Sequence, residues 1–168
     1  KVDAKAMKVL SSWSLAPGEG PTGLAIDEKN GLLFSACDNG MMVVSDTKSR
    51  KVVATPSIGN GPDGAGFDPG TMCAISPNGR DGTLTIVAEK YGTFVPVATI
   101  TTQRGARTMA IDPKDHKIYL IAAEYEPVPA DAQANTRPKM VAGSAVILVV
   151  APTSAADSIS QRAGSLSL

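Results

Sequence analysis

Three segments of this chain are near copies of one another: "GPTGLAIDEK" at residues 20–29, "GPDGAGFDPG" at 61–70 and "GARTMAIDPK" at 105–114. The first two lie 41 residues apart and the second and third 44. A period of about 40–45 residues is the spacing of four-stranded propeller blades, units too small to bury an apolar face alone and therefore stacked on their neighbours. Within the first copy "TGLAID" leads into an acidic turn, "LLFSAC" runs to the tight turn "DNG", "MMVVSD" follows, and "KVVATPSIG" closes the unit. The second copy gives "DGAGFD", "MCAIS", "TLTIVAE" and "FVPVATITT" in the same order. The third gives "RTMAID" and "KIYLIAA", then a polar interruption from Glu124 to Gly143, then "AVILVV". Asn-Gly and Asp-Gly between apolar runs supply the positive φ that tight hairpin turns require. The expected class is all-β: a β-propeller of four-stranded antiparallel blades, with about three full blades plus part of another, a half-propeller.

The opening "VDAKAMKVLSSW" lines up with "SDTKSRKVVATP" 43 residues later, which sets Val2 and Asp3 on Ser45 and Asp46. Residues 1–19 are thus assigned to part of a blade, and 20–60, 61–104 and 105–152 to three further blades. Residues 153–168, rich in Ser and Ala without alternation, are read as a disordered or non-native tail.

Charge narrows the partners. The 16 basic and 16 acidic residues cancel, unlike the basic footprint that neutralising nucleic-acid phosphates requires, so no nucleic acid is expected. No apolar run approaches the ~20 residues of a membrane-spanning helix, and no membrane partner is expected. Cys37 and Cys73 lack the paired spacing of a zinc or redox motif and read as packed thiols.

The pattern G-P-x-G-x-x-x-D, an apolar strand, a Gly-rich turn, a strand ending in Asp-Thr and then K-V-V-A-T resembles the YVTN-type β-propeller repeat over residues 1–152. That family is similar to the seven-bladed propeller lactonases. The resemblance implies blades arranged radially around a channel, hydrolysis of a lactone or ester, and an extracytoplasmic setting, periplasmic or secreted. The chain departs from the family in its length and in its interrupted third blade.

In such a blade the loop leading into the innermost strand and the loop between the second and third strands emerge at one end, the channel mouth. The third position of the repeated loop varies where the scaffold does not: Thr22, Asp63 and Arg107. Variation at a shared mouth position is where ligand chemistry would be written. Asp63, Arg107 and Glu124 are the catalytic candidates, and Thr22, Asn39, Asn78, Arg80 and Glu126 the ligand-binding ones. A plainer reading has Asp63 shaping an Asp-Gly turn with Arg107 paired to it at the surface. Mouth carboxylates also suit a hard cation such as Ca2+, with Asp38, Asp63 and Asp81 as candidate ligands, although each residue type is equally what a hairpin turn wants. Asp27, Asp68 and Asp112 recur in every copy and read as structural turn acids, because a single site needs asymmetry. His116, the one histidine, falls in the turn at the opposite end. No G-x-S-x-G elbow, histidine pair or phosphate loop is present.

Two functions follow. One is a lactonase-like hydrolase, calcium-assisted; the other is a non-catalytic propeller module that binds a ligand or protein. The partners expected are a small-molecule ligand and a second copy of the chain. A homodimer completing the ring would cover blade faces carrying Val43, Val53, Ile86 and Ile147. The polar interruption is expected to leave the sheet over the mouth, as a lid or as an arm toward another subunit.

Overall fold

Each copy of the repeat folds as one antiparallel meander. The computed structural model describes residues 1–129, 133 and 136–153. Ahead of the first copy, β1 (Val2–Asp3) and β2 (Lys8–Val9) form a hairpin. The first copy supplies β3 (Pro21–Asp27), β4 (Leu32–Cys37), β5 (Met41–Asp46) and β6 (Lys51–Ala54), paired in that order. The second supplies β7 (Gly66–Asp68), β8 (Cys73–Asn78), β9 (Thr83–Lys90) and β10 (Thr93–Thr101). The third supplies β11 (Met109–Asp112), β12 (Lys117–Ala122) and β13 (Val146–Val150). Among the described residues there is no helix, and the architecture is that of a partial β-propeller. Residues 154–168, most of the expected tail, lie outside the described residues.

Turn chemistry explains why the copies fold alike. Asp3 Oδ1 accepts the N–H of Lys5 and Ala6, and 43 residues on Asp46 Oδ1 accepts the N–H of Lys48 and Ser49. Both turns then place a residue in the left-handed region, Met7 (φ 50°) and Arg50 (φ 60°). The β1–β2 hairpin is therefore the counterpart of the β5–β6 hairpin. At the first turn of each blade the recurrent acids do the same: Asp27 accepts the N–H of Asn30, Asp68 that of Gly70 and Asp112 that of Lys114.

The core lies between blades. Phe34, Met42 and Val44 of the first blade pack on Ala74 and Val87 of the second, with the Phe34 ring stacked 5.3 Å from Phe67 and edge-on 5.4 Å from Phe94. Burying one such side chain is worth about 1.5–3 kcal/mol. The second interface sets Ile75 and Leu84 against Ile118 and Leu120. Inner strands approach closely because glycine stands at the contact. A Cβ on Gly23 would fall 2.4 Å from the Gly64 carbonyl carbon, and one on Gly64 3.3 Å from the Arg107 oxygen.

Two of the four apolar residues expected to lie uncovered do not. Val43 is fully buried, because Gly18 of the segment before the first blade lies against it, and Ile86 packs into the interface between the second and third blades. Val53 and Ile147 are exposed, at 51% and 69%.

Candidate functional site

Strand register sorts the candidates by end. Pro21 pairs with Cys37, Pro62 bridges to Asn78, and Met109 pairs with Leu120, so the loops into β3, β7 and β11 share an end with the β4–β5 and β8–β9 turns and with the chain leaving β12. That end holds Thr22, Asp38, Asn39, Asp63, Arg80, Asp81, Arg107 and Glu124. The opposite end holds the turn acids and His116, which lies between Asp112 and Lys117, themselves paired.

Several of the sequence candidates are spent on the scaffold. Asn39 Oδ1 accepts the Glu19 N–H (3.1 Å) while its amide donates to the Pro17 carbonyl (2.9 Å). Asp81, the counterpart one blade on, accepts the Asn60 N–H (2.7 Å) and its side-chain amide. These two donors, the backbone one first, hold the Asp81 carboxyl below the usual carboxylate range. The Thr22 hydroxyl donates across the blade boundary to the Pro62 carbonyl (3.0 Å). Asn78 is fully buried. Its Oδ1 accepts the Ser76 hydroxyl (3.0 Å) and its amide donates to Thr83 (3.0 Å) and Thr85 (2.8 Å), which withdraws it from the ligand-facing set. The Asp38 backbone N–H donates to Glu19 and Gly20, and its carboxylate lies beside Gly20. Asp38, Asp63 and Asp81 do not converge: no group of three His, Cys, Asp or Glu side chains with metal-holding geometry occurs among the described residues.

The residues the structure does bring together are arginines. Arg80, Arg107 and Arg137 line one cleft of about 770 Å³ with Tyr125 and Pro138, and glycines 61, 79 and 105 form its floor. Gly61 and Gly79 make room for the arginine stems. A Cβ on Gly61 would meet Arg80 Cβ at 2.7 Å, and one on Gly79 would meet Arg107 Cβ at 2.7 Å. Arg104 Nε donates to the Arg80 carbonyl (3.0 Å) and secures that turn. Asp63 pairs with Arg107 at 3.4 Å, both side chains exposed, as the plainer reading of those residues expects. An exposed pair of this kind holds the side chains only weakly, by about 0–1 kcal/mol.

The polar interruption begins as a short ladder. Tyr125 bridges to Met140, Glu126 N–H donates to the Lys139 carbonyl, and Val141 N–H donates to that of Glu124. The ladder carries Tyr125, Arg137 and Pro138 to the cleft, while Glu124 and Glu126 stay exposed outside its lining. Residues 130–132, 134 and 135 lie outside the described residues. Tyr125 and Arg137 were not among the sequence candidates; having no counterpart in the other copies, they escape a comparison built on register.

No family model matches the chain, and neither does any curated protein. Among solved structures the chain is similar to hydrazine synthase of Kuenenia stuttgartiensis, a propeller-containing protein, with TM-score 0.63 and 18% sequence identity over 73% of this chain. The match spans 35% of that chain's length. At this identity the likeness supports the propeller scaffold alone.

Proposed function

We propose that this chain is a ligand-binding sector of a β-propeller whose mouth cleft takes an anionic ligand, a small carboxylate-bearing molecule before others. The observation that carries the reading is the convergence of Arg80, Arg107 and Arg137 on one cleft with no carboxylate among its described lining residues. Guanidinium presents donors in a planar fork that matches carboxylate oxygens two at a time, and it stays charged at any physiological pH. The test is calorimetric titration at low salt with acetate, succinate and citrate. Affinity should rise with carboxylate count, and Arg80→Gln or Arg137→Gln should weaken succinate binding about tenfold, the loss of a charged hydrogen bond. No binding heat, or equal affinity in the variants, would refute it.

Lactone or ester hydrolysis, the activity implied by the YVTN-type resemblance, is the second reading. The Asp63–Arg107 pair beside the cleft favours it, since a carboxylate next to a guanidinium can orient water by a substrate carbonyl. The calcium set of Asp38, Asp63 and Asp81 does not fit this geometry, because the three do not gather and Asp81 is held by Asn60. Turnover across a panel of lactones and esters, with calcium and with a chelator, separates this reading from binding alone.

Self-association belongs to the same proposal. Leu24, Ile26 and Val53 stand exposed on the first blade, and Ile121, Ile147 and Val149 on the third, where Ile121 is paired with Ile147. Rows of this kind resemble the blade faces buried inside the chain, and a second copy offers the matching surface.

A further inference from the structure

We propose that the cavity between the second and third blades is a separate binding site, for a small apolar molecule carrying one hydroxyl group, read by the His116–Asp68 pair. The cavity measures about 190 Å³ and is walled by Ile75, Ile86, Ile100 and Ile118, with Asp68, His116 and Cys73 also on its lining. Apolar cavities of about 150 Å³ already accept a benzene-sized guest.

The polar edge of the cavity is specific to this blade pair. Asp68 is nearly fully buried and accepts the Gly70 N–H (3.0 Å), the Thr71 hydroxyl (2.9 Å) and His116 Nδ1 (2.8 Å). The equivalent acid of the first blade, Asp27, is satisfied by Asn30 within its own turn, and the second blade places Met72 where the third has His116. His116 occupies a left-handed position (φ 59°) that glycine fills in the first blade, at Gly31. Its ring rests on Gly70, where a Cβ would fall 2.1 Å from Cε1. A carboxylate can only accept, so Nδ1 carries a proton, and in the neutral tautomer this fixes, Nε2 is the acceptor. No described residue bonds Nε2. A guest whose apolar body fills the isoleucine wall and whose head donates one hydrogen bond completes the set.

Cys73 provides the readout, because it lines the cavity and is half-buried, whereas Cys37 is fully buried and burial pushes its thiol pKa up. The native protein is treated with iodoacetamide, and the rate at Cys73 is followed by mass spectrometry with 4-methylphenol or toluene present. The phenol should slow alkylation at concentrations about fivefold to tenfold below those toluene needs, the worth of one hydrogen bond. His116→Phe should erase that difference. Equal protection by the two compounds in the native protein, or protection by neither, would overturn the proposal without reliance on the variant.

Discussion

Replacing Asn78 by alanine should damage the fold and not the ligand chemistry, and the size of the effect follows from its contacts. The side chain is fully buried and makes three hydrogen bonds, one accepted from Ser76 and two donated to Thr83 and Thr85. Ser76 and Thr85 are themselves buried, so truncation strands two hydroxyls out of reach of water. Each buried group left unpaired costs about 1–3 kcal/mol, which puts the loss near 3–5 kcal/mol once the small void is included. Against a total stability of about 5–15 kcal/mol that is a large fraction. With a urea slope of about 2 kcal/mol per molar, the unfolding midpoint should fall by roughly 2 M. Arg80→Gln, two residues further on and exposed, should move the midpoint by less than about 0.5 kcal/mol equivalent. A midpoint for Asn78→Ala within that margin of the parent would refute the assignment of this residue to the scaffold.

Gly23→Ala should destabilise by about 1–3 kcal/mol in the same assay, because the new methyl meets the Gly64 backbone at 2.4 Å and two blades must part to admit it; an unchanged midpoint would contradict the packing described. Asp81→Ala should lower the melting temperature at neutral pH. Because the folded pKa of Asp81 is depressed, its contribution is present above the unfolded value of about 3.9 and disappears as pH falls through the folded one. The gap between parent and variant should therefore close in acid, and a gap independent of pH would exclude the Asn60 contact as its source. Light scattering at micromolar concentration should give twice the 17.2 kDa chain mass, and Ile147→Lys should return the protein to that single mass. A parent that is already monomeric excludes the dimer.

The scaffold was legible because its signals repeat. Offsets of 41 and 44 residues located the blades, and the Asp3 and Asp46 turns show that even the opening hairpin obeys the same register. The site was legible only in part. Arg80 and Arg107 were reachable as mouth residues, but Asn39, Asn78 and Asp81 carry the side chains of ligands and of turns alike, and only the partner atom decides between them. For Asn78 a signal existed: Ser76 and Asn78 alternate on one strand, Thr83 and Thr85 on the next, and the two sets pair directly across the ladder. Four polar side chains stacked on an inward face satisfy one another. Arg137 and Tyr125 sit in a segment without a counterpart in the other copies, where register gives no information. His116 was placed at the correct end, yet its partner lies 48 residues away in the neighbouring blade, a contact that blade stacking creates and local pattern does not encode.

The most direct test of the anionic cleft reads the arginines themselves. In a spectrum of side-chain Nε–H groups, added citrate should shift Arg80, Arg107 and Arg137 together with one saturating curve, while Arg50, at the far turn beside β6, stays in place. Shifts shared equally by Arg50, or no shift at any of the three, would contradict the account.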